Sequence, residues 1–310
     1  MKLFIYSTLD ETSRRRLLKE LPAAITPVFK DDLPEDQVSD AFRSAEILMG
    51  NPPLEWFEGL PNRLALWQLD SAGFEKYQHV QVAAPVANMG DFFARPCAET
   101  MVGGILAFYR YLHVLVRSQE KKQWLGSSIR HSLDLLGTKK VIILGAGSIG
   151  LTIKQMLLGF GCQIKMTARR NPVAEIHSFD ELLEALPETD LVINTLPGAL
   201  EKYVSSEFIQ AMKTGSLYAS VGRGNTTDEK ALTDALQTGK LAGAVLDVTE
   251  QEPLPEASPL WEMQNVILTQ HSGGGYIGES EGKVRQLLSN VNRLLQGKDI
   301  ENQVNLSQGY

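Results

Sequence analysis

Only two cysteines, Cys97 and Cys162, occur in 310 residues, too few for a disulfide framework or a multi-cysteine zinc site. Both are expected to be reduced. Cys97 has no positioned base near it in the sequence and reads as a small buried hydrophobe, not a nucleophile. Long apolar runs are also missing. None approaches the ~20 residues that a membrane helix requires, and the apolar start Met1–Tyr6 is short enough for a first strand rather than a signal peptide. The expectation is a cytoplasmic protein with no membrane partner. A basic excess is absent too, with 30 Lys and Arg against 37 Asp and Glu and a net charge of −7. That balance argues against a nucleic-acid partner, which requires a face able to neutralise phosphates, and favours a small soluble ligand.

What is present describes a folded α/β protein. The chain is 43% hydrophobic and 22% charged, which excludes disorder and fibrous repeats, and its length suits two domains better than one core. In the first hundred residues, short apolar runs at 3–6, 25–29 and 47–49 alternate with helical patterns at 11–21 and 36–45, an alternation that predicts a parallel sheet. From Glu99 to about Arg117 the residues are nearly all apolar or aromatic, which predicts one long helix buried on several sides. A second series follows: strand 140–144, helix 151–160, strand 163–167, helix 179–186, strand 191–195, then strands at 216–221, 243–246 and 266–269. This is the spacing of a doubly wound dinucleotide-binding domain. A last amphipathic helix over 279–295 is expected to return to the first domain. The fold class is therefore α/β with two doubly wound parallel sheets: a flavodoxin-like substrate domain over 1–98 and 283–310, and a Rossmann domain over 99–282.

The glycine turn Gly145-Ala146-Gly147-Ser148-Ile149-Gly150 follows an apolar strand and opens a helix, the context in which a GxGxxG run signals a dinucleotide. Gly145 permits the tight turn, Gly147 lets the backbone approach a pyrophosphate, and Gly150 lets the helix pack on the strand. The first helical amides, near Ser148 and Ile149, point at the anion. An NAD site places an acid about 20 residues on, to hold the ribose hydroxyls. Here the strand end reads Thr167-Ala168-Arg169-Arg170, with no carboxylate and two guanidiniums suited to a 2′-phosphate. NADP(H) is expected over NAD(H).

Three further segments sit where strands end: Ser220-Val221-Gly222-Arg223-Gly224, Leu246-Asp247-Val248-Thr249-Glu250-Gln251-Glu252-Pro253 and Leu268-Thr269-Gln270-His271-Ser272-Gly273. Strand ends on one edge of such a sheet line the cofactor crevice, so an arginine, a carboxylate and a histidine can meet there. With Trp67-Gln68-Leu69-Asp70-Ser71-Ala72-Gly73, Ala98-Glu99, the glycine turn, Asn194-Thr195-Leu196-Pro197 and Glu252-Pro253-Leu254-Pro255, these motifs stand in family order. The chain resembles the D-isomer-specific 2-hydroxyacid dehydrogenases, close to their glyoxylate and hydroxypyruvate reductase branch.

The resemblance implies an enzyme whose catalytic trio is Arg223, Glu252 and His271. His271 would be the general acid that protonates the carbonyl oxygen as hydride arrives at carbon, and the base in reverse. Glu252 would fix the ring and favour the imidazolium, and Arg223 would hold the substrate carboxylate in bidentate fashion. It further implies that Ser71, Ala72 and Gly73 offer backbone amides to that carboxylate. Thr195, Leu196, Pro197 and Gly222 would line the cofactor channel, and Asp247 would lie on the nicotinamide side. The four histidines outside these motifs read as structural or surface groups, and Glu250 is the rival carboxylate to Glu252.

Two positions depart from the family pattern. Gln270 stands where Pro is common, and Ser220 stands where Asn is usual, which leaves loop geometry and substrate preference open. Substrates other than glyoxylate or hydroxypyruvate, such as 2-oxopantoate or 2-oxoisocaproate, fit the same trio. Specificity is expected in the loops Met49-Gly50-Asn51-Pro52 and Asn88-Met89-Gly90. A non-catalytic dinucleotide-sensing protein is the alternative from another class. The apolar helix after Glu99 suggests a homodimer.

Overall fold

The structure, a computed structural model, describes residues 1–59 and 63–308. In chain order its elements are β1 (Lys2–Ile5), α1 (Glu11–Glu20), β2 (Thr26–Phe29), α2 (Glu35–Arg43), β3 (Ile47–Met49), β4 (Leu66–Gln68), β5 (Val86–Ala87), α3 (Ala94–Tyr109), α4 (Leu112–Glu120) and β6 (Lys140–Leu144). There follow α5 (Ser148–Leu158), β7 (Gln163–Thr167), α6 (Phe179–Ala185), β8 (Leu191–Asn194), α7 (Ser206–Ala211), β9 (Ser216–Ser220), α8 (Glu229–Gln237), β10 (Leu241–Leu246), β11 (Val266–Leu268), α9 (Glu279–Leu295) and β12 (Gln303–Val304).

The chain divides into two compact units, one running to Phe92 and resuming at Tyr276, the other spanning Phe93–Gly275. The sequence had suggested breaks after residues 98 and 282. The earlier breaks follow from packing: α3 belongs from its first turn to the second unit's core, where Cys97, Ala98 and Met101 sit with Val141, Ile143 and Val245. At the other break, α9 packs its Val284, Leu287 and Val291 against Leu3, Leu17 and Ile47 of the first unit.

In the first unit the strand order is β12-β5-β4-β3-β1-β2, parallel except for the short β12. In the second it is β11-β10-β9-β8-β6-β7, parallel throughout. Strands β6, β8, β9 and β10 are apolar runs buried along nearly their whole length, as expected of parallel strands covered on both faces. Alternate side chains divide between those faces. Ile143, Ala219 and Val245 meet α3 and α5, whereas Leu144, Tyr218 and Leu246 meet the layer of α6, α7 and α8. Local signals start the helices: Asp10 accepts from the Ser13 amide at 2.9 Å ahead of α1, and Ser178 with Glu181 forms a capping box on α6.

The single helix expected over 99–117 is two. It breaks at Arg110-Tyr111, where Tyr111 takes a left-handed φ of 54°, so α3 stays buried while α4 lies on the surface. There Leu112, Leu115 and Val116 are exposed, as is Trp124 just beyond, at 95%.

Candidate active site

Within the second unit the first strand, β6, pairs with β7 on one side and β8 on the other. The chain therefore leaves β6 in opposite directions, a switch point at which doubly wound sheets bind ligands. The glycine turn lies there. Gly145 has φ 98°, which side-chain-bearing residues rarely adopt, and a Cβ on Gly150 would stand 2.5 Å from the Gly145 carbonyl oxygen. These two glycines are required by the fold itself. Gly147 is different: a Cβ there would meet no protein atom within 4 Å, and it caps α5 without any side-chain hydrogen bond. Open space in front of uncapped helical amides is the cradle that a pyrophosphate fills, so the residues present fit a dinucleotide. Ser148 and Ile149 form the first turn of α5 beside it.

At the end of β7, Arg169 and Arg170 are exposed, and neither makes an ion pair or hydrogen bond among the described residues. The nearest acid in the sequence, Glu175, is committed elsewhere, accepting from the Met166 amide at 2.7 Å and pairing with Lys154 at 3.2 Å. Two contacts at this edge were not foreseen. His177 places Nδ1 2.7 Å from the Ala168 carbonyl oxygen, and Asn171 donates to the Ala146 carbonyl at 3.3 Å, linking the arginine loop to the glycine turn. Neither residue stands in a motif, so the sequence offered no signal for either.

The ends of β9, β10 and β11 carry the remaining groups. Parallel pairing sets Ser220 beside Leu246 and Leu246 beside Leu268, which brings the three loops to one edge. His271 and Glu252 meet there, with Nδ1 and Oε2 2.6 Å apart. The other carboxylate oxygen of Glu252 accepts from the Thr249 amide at 3.0 Å, so the carboxylate is anchored independently of the ring. The rival Glu250 turns away, paired with Lys202 at 3.6 Å. Arg223 is half-buried, and one of its Nη atoms donates to the Gly222 carbonyl at 3.0 Å.

Asp247, 4% exposed, clamps the histidine loop from beneath. Its Oδ1 accepts from the Thr269 hydroxyl at 2.5 Å and the Gly273 amide at 3.0 Å, while its carbonyl accepts from the His271 amide at 2.5 Å. Gln270 and His271 are both held in the left-handed region, at φ 54° and 53°. A proline ring, fixed near −65°, has no place at position 270 in that backbone, which explains locally why the common residue is missing. A cavity of about 570 Å³ opens beside the pair, walled by Leu246, Pro253, Leu254 and Trp261. Burial pushes the Cys97 thiol up to about 11, the Asp247 carboxylate adding to the rise and Arg223 opposing it.

The first unit holds Ser71-Ala72-Gly73 after β4. Neighbouring asparagines fasten this loop: Asn51 donates to the Ser71 hydroxyl at 2.8 Å, and Asn88 donates to the Ala72 carbonyl at 2.6 Å. The Ser71 hydroxyl in turn donates to the Gly73 carbonyl at 2.7 Å. Carbonyls and side chain are thus satisfied internally, whereas the amides of Ala72 and Gly73 make no hydrogen bond among the described residues. Successive free amides of this kind suit an anion.

Residues 102–273 match the model of the D-isomer specific 2-hydroxyacid dehydrogenase, NAD binding domain. The chain belongs to the D-isomer specific 2-hydroxyacid dehydrogenase family. Glyoxylate/hydroxypyruvate reductase B of Erwinia tasmaniensis is 29% identical over 97% of this chain and 98% of its own length. Among solved structures, a D-isomer specific 2-hydroxyacid dehydrogenase family protein from Aeromonas salmonicida superposes with a TM-score of 0.84 at 25% identity, covering 98% of this dehydrogenase and 99% of that chain. A D-isomer specific 2-hydroxyacid dehydrogenase from Xanthobacter autotrophicus, solved in complex with NADPH and MES, shares the fold at 24% identity, with a TM-score of 0.81 and coverage of 100% and 99%. Family and fold make this dehydrogenase an NAD(P)-dependent oxidoreductase with a Rossmann domain. No helix among the described residues is long and apolar enough to cross a membrane.

Proposed function

We propose that this dehydrogenase reduces glyoxylate, hydroxypyruvate or a similarly small 2-oxo acid to the D-2-hydroxy acid, with NADPH as the donor. The observation that carries the reading is the His271–Glu252 contact of 2.6 Å. It occupies Nδ1 and leaves Nε2 as the one ring nitrogen free to exchange a proton with substrate oxygen. NADPH, when bound, supplies the hydride to C2 of the acid. His271 delivers the proton that the carbonyl oxygen acquires as hydride arrives, and takes it back in the oxidative direction. Glu252 holds the ring in that orientation throughout. Arg223 offers a planar fork to the substrate carboxylate and draws charge from the carbonyl oxygen. In the first unit, the free amides of Ala72 and Gly73 suit an anion in their own right.

The preference for NADPH rests on the unpaired Arg169 and Arg170 and on the lack of an acid at the end of β7. Both features favour a 2′-phosphate over a bare ribose hydroxyl. The dehydrogenase is further proposed to be a cytoplasmic homodimer, joined through the exposed apolar residues of α4 and Trp124. Light scattering giving about 34.2 kDa, the mass of one chain, would exclude the dimer.

The deciding measurement is loss of reduced-nicotinamide absorbance, with NADPH and NADH each tested against glyoxylate, hydroxypyruvate, pyruvate, 2-oxoisocaproate and 2-oxopantoate. Turnover of a short acid, faster with NADPH, is the expected result. Tight NADPH binding without turnover of any acid would replace this reading with a dinucleotide sensor.

A further inference from the structure

Beneath the loops that follow β8 and β9 lies a polar cluster sealed from solvent. Asn194 is 0% exposed, Thr226 0%, Tyr218 0% and Thr227 6%. The Asn194 amide nitrogen donates to the Tyr218 hydroxyl at 2.9 Å and to the Thr226 hydroxyl at 2.8 Å. Its Oδ1 accepts from the Leu196 amide at 3.0 Å. The reverse placement of the side-chain amide would set a donor against that N–H, so the surroundings fix its orientation. The hydroxyls complete the chain in a consistent direction. Thr226 Oγ1, having accepted from Asn194, donates to the Arg223 carbonyl at 2.6 Å. Burial pushes the Tyr218 phenol upward, and its hydroxyl shares a 2.6 Å hydrogen bond with Thr227 Oγ1.

One buried asparagine therefore ties down two loops: Thr195-Leu196-Pro197 through the Leu196 amide, and Gly222-Arg223-Gly224 through Thr226 and the Arg223 carbonyl. The loops also touch directly, since a Cβ on Gly222 would stand 2.4 Å from the Leu196 carbonyl oxygen. A network whose members are all hydrogen-bonded leaves the two loops little slack.

We propose that Asn194, Tyr218 and Thr226 are positioning residues that couple the cofactor-side loop at Leu196 to the substrate-side arginine, Arg223. This deepens the proposed function and rests on it for the role of Arg223. The linkage of the two loops stands on the hydrogen bonds alone. Thr226→Val keeps the shape and removes the hydroxyl between Asn194 and Arg223. Thr226→Ser keeps the hydroxyl, and Tyr218→Phe removes a second acceptor, leaving Asn194 its bond to Thr226 and the longer contact to Thr227 at 3.4 Å, should the valine variant fail to fold.

The test reads amide hydrogen exchange at Leu196 together with steady-state kinetics. In Thr226→Val, exchange at Leu196 is expected to speed up although the substituted residue bonds to the other loop. The KM for the 2-oxo acid should rise about tenfold with a smaller change in kcat. Thr226→Ser should restore both. Unchanged exchange at Leu196 in Thr226→Val and Tyr218→Phe alike would overturn the coupling. So would exchange that speeds uniformly across β8 and β9, which is loss of stability alone. If the unaltered protein turns over no 2-oxo acid, the proposed function fails while the exchange result still decides the coupling.

Discussion

Replacing Glu252 by Gln tests the acid–base reading most directly, because the two oxygens of that carboxylate do different things. Oε1 accepts from the Thr249 amide at 3.0 Å and Oε2 faces Nδ1 of His271 at 2.6 Å. A carboxamide has one oxygen and one NH2, so it cannot accept at both ends. With its oxygen kept on the Thr249 N–H, its NH2 faces Nδ1. That nitrogen must then become the acceptor, and the ring proton moves to Nε2. The loss of a charge-assisted hydrogen bond is worth about 1.5–3 kcal/mol, or roughly 10- to 150-fold in rate. The two reaction directions share one transition state, so both should suffer. Reduction needs a proton on Nε2 and retains one, carried by a weaker acid. Oxidation of the D-2-hydroxy acid needs Nε2 empty, and the altered tautomer fills it. A wrong-tautomer defect in a histidine-based site reaches about 10⁴-fold in the hydrolase triad. The assay follows nicotinamide absorbance in both directions across pH 6 to 9. Glu252→Gln is expected to lower kcat/KM by at least about tenfold in both directions. Losses below about threefold in both directions would show that Glu252 does not set the proton on His271.

Further outcomes follow from the same geometry. Replacing Arg169 and Arg170 together by alanine should raise the Michaelis constant for NADPH well above any change for NADH; a matched change for both cofactors refutes the 2′-phosphate role. Gly147→Ala should leave Tm nearly unaltered, because its methyl would enter open space, yet weaken NADPH binding strongly in a fluorescence titration. Gly150→Ala, whose Cβ would stand 2.5 Å from a carbonyl oxygen, should instead lower Tm. If both variants lose stability alike, the vacant cradle at Gly147 is misread. Cys97, raised to about 11 by burial, should remain a thiol at neutral pH and resist iodoacetamide until the chain unfolds; rapid alkylation of the native protein, followed by mass spectrometry, would contradict this.

Much of the candidate site is legible in the chain because its requirements are local. A turn at φ 98° needs glycine at 145, a helix pressed against that turn needs glycine at 150, and both needs are written within six residues. Strand β7 likewise displays its final residues in order, so the missing acid and the two arginines can be read directly. The order of arginine, glutamate and histidine is similarly visible, each at the end of an apolar run.

Other features belong to contacts between distant segments. That Glu252 and not Glu250 faces His271 is decided by the loop after β10, where Glu252 accepts from the Thr249 amide and Glu250 pairs with Lys202, and by the register of β10 with β11. The left-handed pair Gln270-His271 is held by Asp247, more than twenty residues earlier in the chain, and no propensity of glutamine or histidine foretells it. The break at Tyr111 escaped the apolar pattern because hydrophobicity continues across it. The link from Leu196 through Asn194 and Thr226 to Arg223 joins two strand ends by hydrogen bonds too long-range for any motif. Periodicity and local sterics set the elements and the glycine turn. Only tertiary packing, by excluding water and fixing which polar groups must satisfy one another, decided the orientation of the acid–base pair and the loops around it.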